Sequence, residues 1–104
     1  MVIDFTNRST FNVAFLSYGL PNYMIEGVQA WIEEGRRPGD FLWSVICNNF
    51  TDAATFADNE NRRRFLEWAQ FMHSTHVPGL CWGNEAKANK WLAHGGKAGQ
   101  ESGR

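Results

Sequence analysis

Residues 21–50 read PNYMIEGVQAWIEEGRRPGDFLWSVICNNF, and within them two helical patterns flank one tight connection. Each pattern repeats apolar side chains at three- and four-residue spacing, which is typical of an amphipathic helix. The first stripe comprises Met24, Ile25, Val28, Trp31 and Ile32, and the second comprises Phe41, Leu42, Val45 and Ile46. Gly35 follows the first stripe, where helices commonly end in a left-handed residue. The short connection predicts a helical hairpin with its apolar faces together.

Length and composition set the class of protein. The chain has 104 residues, which is one domain of ordinary size, and its formal net charge is −1. Five Trp and eight Phe supply bulky side chains for a small core. No apolar run approaches the roughly 20 residues of a membrane helix, and nothing resembles a signal peptide. Two cysteines are too few for a disulfide framework, so we expect no membrane association and a reducing, intracellular setting.

The remaining segments predict a mainly α protein, a compact bundle of four to five helices. Residues 1–19 show apolar alternation at Phe11, Val13 and Phe15, which predicts an N-terminal extended arm or short β-hairpin packed on the core. Residues 20–95 form the helical domain, with a short helix near 51–58, a long one over 58–75 and a last one over 85–94, which Asn84 can cap. Residues 96–104 are small and polar and predict a flexible tail.

Three side chains near one helix end raise the question of a metal site: His73, His76 and Cys81. Zinc needs about four converging nitrogen or sulfur ligands, and no CxxC pair is present. We therefore expect no metal and no cofactor. A catalytic cysteine is equally unsupported, because Cys47 and Cys81 both stand among apolar residues that suggest burial. The sequence predicts a protein that is not an enzyme.

The arginines form two groups that suggest an anion-binding surface. Arg36 and Arg37 lie in the hairpin connection, and Arg62, Arg63 and Arg64 are consecutive in a helix. If the groups converge, they would bind nucleic acid or nucleotide phosphates despite the balanced net charge. The alternative is that they pair with nearby glutamates and keep the surface soluble.

Aromatic residues are more numerous than a small core requires. Trp43 lies off the apolar side of the second hairpin helix, next in space to a charged connection. An exposed aromatic side chain with charge around it is typical of a protein-binding hot spot. The candidate partner-binding residues are Arg36, Arg37, Trp43, Cys81 and Trp82, the last two in the turn before the final helix. The alternative is that the N-terminal arm covers Trp43.

Several segments together resemble a family of short proteins encoded by tailed bacteriophages and prophages. They are Leu20-Pro21-Asn22-Tyr23-Met24 with Glu26-Gly27, Pro38-Gly39-Asp40-Phe41-Leu42, Ala57-Asp58-Asn59-Glu60-Asn61-Arg62, Cys81-Trp82-Gly83 and Trp91-Leu92. The resemblance covers about residues 20–95 and carries no catalytic residues. It implies a viral protein acting in the cytoplasm of a bacterial host.

These observations favour one function and leave two alternatives. The first is a non-enzymatic phage protein that binds a host or phage protein and modulates or inhibits a host complex, in the manner of an anti-defence or anti-CRISPR inhibitor. The second is an accessory protein that binds nucleic acid or nucleotides through its arginines. The third is a structural or assembly component of the phage. The oligomeric state is open.

Overall fold

The computed structural model describes residues 8–102, which form eight α-helices and two short 3-10 turns, with no strand among them. The α-helices are α1 (Arg8–Ser17), α2 (Ile25–Glu34), α3 (Asp40–Ile46), α4 (Phe50–Phe56), α5 (Asn59–Arg63), α6 (Phe65–Met72), α7 (Glu85–His94) and α8 (Gly96–Ser102). The 3-10 turns are Asn22–Met24 and Gly79–Cys81. The predicted mainly α fold is confirmed, whereas the predicted four to five helices are too few for this part of the chain.

Residues 21–50 form the two helices α2 and α3 on either side of the predicted connection at residues 35–39. Gly35 ends α2 in the left-handed region, with φ 66° and ψ 28°, a conformation that favours glycine. The apolar stripes of both helices are largely buried, as the spacing predicted. The two helices contact each other at the Trp31 and Trp43 rings, which lie edge to face with centroids 5.6 Å apart.

The N-terminal segment differs from its prediction, because residues 8–17 form a helix rather than an extended arm or hairpin. Phe11 and Phe15 are four residues apart and face the core together, where both rings contact Phe71, at 5.9 and 5.1 Å between centroids. Val13, which completes the strand-like alternation, is exposed. Packing on α6 therefore decides the local conformation. Residues 1–7 of the predicted arm or hairpin lie outside the described residues.

The long helix predicted over residues 58–75 is two helices. The backbone leaves helical geometry at Arg64, with φ −105° and ψ 21°, and α6 ends at Met72. Asp58 caps α5 by accepting a hydrogen bond from the amide of Asn61. Across the break, the buried Trp68 Nε1 donates to Asn61 Oδ1 at 2.9 Å. The indole and the amide thus satisfy each other inside the core.

Two further tryptophans tie distant segments together through hydrogen bonds to carbonyl groups. Trp91 Nε1 donates to the carbonyl of Trp31 at 2.8 Å, and Trp31 Nε1 donates to the carbonyl of Cys81 at 3.0 Å. All three residues are buried. These bonds fix α7, α2 and the second 3-10 turn relative to one another, because a buried indole N–H left without an acceptor would be costly.

The C-terminal segment also differs from its prediction, because residues 96–102, expected to be a flexible tail, form α8. Gly95 and Gly96 both have positive φ, at 78° and 71°, which lets the chain turn sharply after α7. Gly96 is buried against the backbone of Glu34 and Gly35. The close approach of two glycines gives α8 a docking place at the end of α2 that composition does not reveal.

Candidate functional site

An apolar groove of about 530 Å³ lies between the corner joining α3 to α4 and helix α6. Its apolar lining residues are Val45, Phe50, Ala53, Phe65, Leu66, Trp68, Ala69, Met72 and Trp82. Its polar lining residues are Ser44, Asn48, Asn49 and His73. The lining thus holds one titratable side chain, that of His73, and no Asp, Glu, Lys or Arg.

The groove combines buried residues with apolar side chains that stand in solvent. Trp68, Met72 and Ala53 are almost fully buried and close its inner side. Leu66 and Phe50, in contrast, are 71% and 72% exposed. Exposed apolar side chains beside a concave apolar surface are typical of a protein-interaction site.

Local sequence explains why Phe50 projects outward. Asn48 has φ 60°, a left-handed conformation that asparagine tolerates better than most residues, and it turns the chain after α3. The amide of Asn49 donates to the carbonyl of Ser44 at 2.8 Å. The Asn49 side chain then caps α4, accepting from the amide of Asp52 at 3.0 Å. Phe50 is the first residue of α4, so its ring lies at the edge of the corner, where it contacts the Phe65 ring at 5.4 Å.

A second, polar depression of about 430 Å³ adjoins the groove, and we call it the acidic pocket. It is lined by Trp43, Ser44, Cys47, Asn48, Asn49, Phe50, Thr51, Asp52 and Glu85. Four of these residues, Ser44, Asn48, Asn49 and Phe50, also line the apolar groove, so the two depressions share a wall. The acidic pocket contains two carboxylates, those of Asp52 and Glu85.

The electrostatics of the acidic pocket are visible at Cys47, which is half-buried. Burial raises the pKa of the Cys47 thiol, the Glu85 carboxylate raises it further, and Arg37 acts in the opposite direction. Glu85 and Arg37 therefore both lie close enough to act on this thiol. The raised pKa keeps Cys47 protonated near neutral pH, which makes it a poor nucleophile.

Arg37 and Trp43, two of the predicted partner-binding residues, lie together. The Arg37 guanidinium stacks over the Trp43 ring, 4.6 Å from its centroid. Trp43 is half-buried and lines the acidic pocket. Arg36 instead pairs with Glu34 at 2.6 Å on the exposed surface. Trp43 is thus covered partly by Arg37 and Trp31.

The predicted Cys81–Trp82 surface is reduced to Trp82. Cys81 is 0% exposed, and burial raises the pKa of its thiol to about 12, so its side chain is neither presented to a partner nor nucleophilic. Trp82 is half-buried, lines the apolar groove and lies edge-on to His73, with centroids 5.4 Å apart. Cys81 acts instead as part of the core.

The three side chains of the arginine triplet, Arg62, Arg63 and Arg64, contact different residues. Arg62 donates to Asn59 Oδ1 and to the carbonyl of Ala57, both at 3.1 Å. Arg63 pairs with Glu60 at 3.2 Å, and the guanidinium of Arg64 lies beside Gly19. These neighbours differ from those of Arg36 and Arg37, and an anion-binding surface formed by all five arginines stays a prediction.

The three side chains considered as metal ligands also separate. His73 is exposed against Trp82, His76 packs on the rings of Phe71 and Tyr18, and Cys81 is in the core. Within the part of the chain that the structure describes, no three His, Cys, Asp or Glu side chains are grouped to hold a metal ion.

A third depression, of about 360 Å³, lies beside the N-terminus of α5 and is bridged by one strong hydrogen bond. Tyr23 Oη donates to Asp58 Oδ2 at 2.6 Å on the exposed surface. This bond raises the pKa of Tyr23 to about 12 and is the main reason that the pKa of Asp58 is lowered. It links the first 3-10 turn to the cap of α5 and is structural in character.

Sequence reasoning did not single out Phe50 or Leu66, the most exposed apolar residues of the groove. The available signal was the Asn48-Asn49 corner, which places Phe50 at a helix start, and the position of Leu66 on the edge of the α6 stripe.

Comparison of this chain with models of protein families, with curated proteins and with solved structures gave no match. The longest helices described here have ten residues, and no helix formed by residues 8–102 has the length and hydropathy to cross a bilayer.

Proposed function

We propose that this chain is a non-enzymatic protein-binding module that docks an apolar segment of a partner protein in the groove between α3, α4 and α6. The observation that carries the proposal is the exposure of Leu66 and Phe50 above an apolar groove of about 530 Å³. Burying two such side chains against a partner would contribute about 1.5–3 kcal/mol each. Trp82 and the Arg37–Trp43 pair lie at the groove and at the adjoining acidic pocket, and they extend this surface.

The chemistry of the groove supports binding rather than catalysis. General acid–base or nucleophilic catalysis needs a positioned pair of groups, and the lining offers His73 alone. Both thiols have raised pKa values caused mainly by burial, so neither is an activated nucleophile. The side chains that converge here are suited to excluding water from an interface.

We propose further that the partner is a host protein complex, which this chain modulates or inhibits in the bacterial cytoplasm, as an anti-defence protein would. The support is the resemblance of residues 20–95 to short phage and prophage proteins, together with the binding surface described above. The proposal also covers a phage protein as the partner, because the groove would bind an apolar segment of either protein in the same way.

The experiment compares two leucines of similar exposure. Leu66, in the groove, and Leu80, outside its lining and 63% exposed, are each changed to Asp. Exposed substitutions of this kind shift stability by only about 0.5 kcal/mol, which urea unfolding checks for both variants. The tagged wild-type chain and the variants are then used to capture partners from bacterial lysate.

We expect one stoichiometric protein complex with the wild-type chain and with Leu80→Asp. Leu66→Asp should weaken it by roughly 30-fold or more, since a hot-spot residue contributes about 2 kcal/mol or more. Equal capture by both variants would rule out the groove as the binding site. Retention of nucleic acid instead of protein, with steep salt dependence, would favour the arginine-based alternative.

A further inference from the structure

We infer that the segment bound in the apolar groove is an amphipathic helix carrying a Lys or Arg that enters the acidic pocket next to its apolar anchor. This inference rests on the proposed function, and it names the chemistry of the partner.

The geometry couples the two depressions. Ser44, Asn48, Asn49 and Phe50 line both of them, so a ligand seated in the groove borders the acidic pocket across a single wall. A helix presents neighbouring side chains at three- and four-residue spacing, on the same face. One helix can therefore place an apolar side chain in the groove and a basic side chain in the pocket.

The charges of the pocket favour a cation. Asp52 and Glu85 both line it, and none of its lining residues is Lys or Arg. Each carboxylate lies in the first turn of a helix, Asp52 in α4 and Glu85 in α7. Arg37, which acts on the Cys47 thiol of this pocket, is stacked on the Trp43 ring. A ligand's ammonium or guanidinium group would complement this local excess of negative charge.

Asp52 is held in a position that suits this role. Asn49 Nδ2 donates to Asp52 Oδ2 at 2.9 Å, while Asn49 Oδ1 accepts from the Asp52 amide. The paired bonds hold the Asp52 carboxylate against Asn49, a residue of the shared wall, and use one of its oxygens. The other oxygen can accept a charge-assisted hydrogen bond from a bound cation.

A helix fits this surface better than an extended strand. Residues 8–102 contain no strand and so offer no sheet edge to which an extended peptide could add. The groove is bounded by helices on both sides, and its exposed members, Phe50 and Leu66, are suited to the apolar face of an amphipathic helix.

A random 16-residue peptide display library, selected on the full-length chain, is the probe. We expect enriched peptides to carry Lys or Arg three or four residues from a large apolar residue and to gain helical circular dichroism on binding. A representative synthetic peptide is then compared with its Lys→Gln form. Both are titrated against the wild-type chain, an Asp52→Asn/Glu85→Gln double variant, and Leu66→Asp.

The double variant should bind the basic peptide about tenfold more weakly than wild type does. The Lys→Gln peptide should bind the wild-type chain and the double variant equally, because it lacks the ammonium group with which Asp52 and Glu85 would interact. Leu66→Asp should abolish binding of both peptides. Sedimentation of the free chain should give a monomer.

The outcomes separate the two levels of the argument. If peptides bind and Leu66→Asp abolishes binding, but basic residues are not enriched and the double variant is unaffected, this inference fails and the proposed function stands. If binding is insensitive to Leu66→Asp, both fail. A dimer that dissociates in Leu66→Asp would assign the groove to a second copy, and a bound peptide without helicity would overturn the helical ligand.

Discussion

Substitution of Gly35 by alanine tests the packing that brings the end of α2 against the junction of α7 and α8. Gly35 is buried, with φ 66°, and a Cβ built on it would lie 2.4 Å from the amide nitrogen of Gly96 and 2.9 Å from the carbonyl oxygen of Trp91. Both are backbone atoms, which cannot rotate away as the end of a flexible side chain does. The alanine methyl group would force the two segments apart.

The magnitude follows from two separable costs. The left-handed conformation costs an alanine about 1–2 kcal/mol, and the forced displacement of packed backbone costs about 1–3 kcal/mol. Gly19 isolates the first cost, because its φ is 81° and its Cβ would approach only the flexible Arg64 side chain, at 3.5 Å. We therefore expect losses in the free energy of unfolding of about 2–5 kcal/mol for Gly35→Ala and about 1–2 kcal/mol for Gly19→Ala.

Urea unfolding, followed by tryptophan fluorescence, measures these differences from the shift in midpoint at constant slope. Gly79→Ala is the matched control, because nothing lies within 4 Å of the added Cβ and the φ of Gly79 is not positive. It should be neutral or stabilise the protein by up to about 1 kcal/mol through the unfolded chain. If Gly35→Ala costs no more than Gly19→Ala, the described contact between Gly35 and Gly96 is wrong.

Two further predictions concern titratable groups. Tyr23→Phe should lower the free energy of unfolding by about 0.5–1 kcal/mol at pH 7, since the bond to Asp58 is solvent-exposed. The bond lowers the pKa of Asp58 from its ordinary value of 3.8, so the stabilisation is present above pH 3.8 and is lost as the pH falls below it. The bond also raises the pKa of Tyr23 from 10 to about 12, so at the alkaline end the stabilisation is lost only as the pH rises from 10 towards 12. Urea unfolding at pH 7 and near pH 3 should show a difference between wild type and variant that shrinks in acid, and a constant difference would refute the assignment. Separately, a thiol reagent at pH 8 should modify Cys47 slowly and Cys81 only on unfolding, because the pKa of both is raised by burial and Cys81 is fully enclosed. Two rapidly reacting thiols in the folded protein would contradict the core described here.

The helices that could be predicted from sequence are those whose signals are local. The stripes of α2 and α3 repeat over more than one turn, and Gly35 ends α2 in the left-handed conformation that its position predicted. Asn84 caps α7 through its side chain, as expected from its place before a helical pattern. Such signals act within a few residues, so neighbouring sequence is sufficient to read them.

The N-terminal and C-terminal helices were decided by contacts between distant residues. Phe11 and Phe15 fit both a strand alternation and a helical spacing, and their contact with Phe71 selects the helix. Two consecutive glycines at 95 and 96 indicate the end of α7, yet α8 begins at Gly96, whose backbone packs against Gly35. A short segment with two compatible periodicities takes the one that buries more apolar surface in the tertiary fold.

The candidate site likewise depended on tertiary structure. Composition and periodicity identified apolar residues in excess of the core. They did not separate Leu66, which is 71% exposed, and the half-buried Phe65 from Trp68 and Phe71, which are buried on the same helix. Sequence alone thus determined that this is a helical domain with more aromatic side chains than its core requires. Only the packing of α1 on one side of α6 and of the α3–α4 corner on the other decided where apolar surface remains exposed, because exposure depends on neighbours that are distant along the chain.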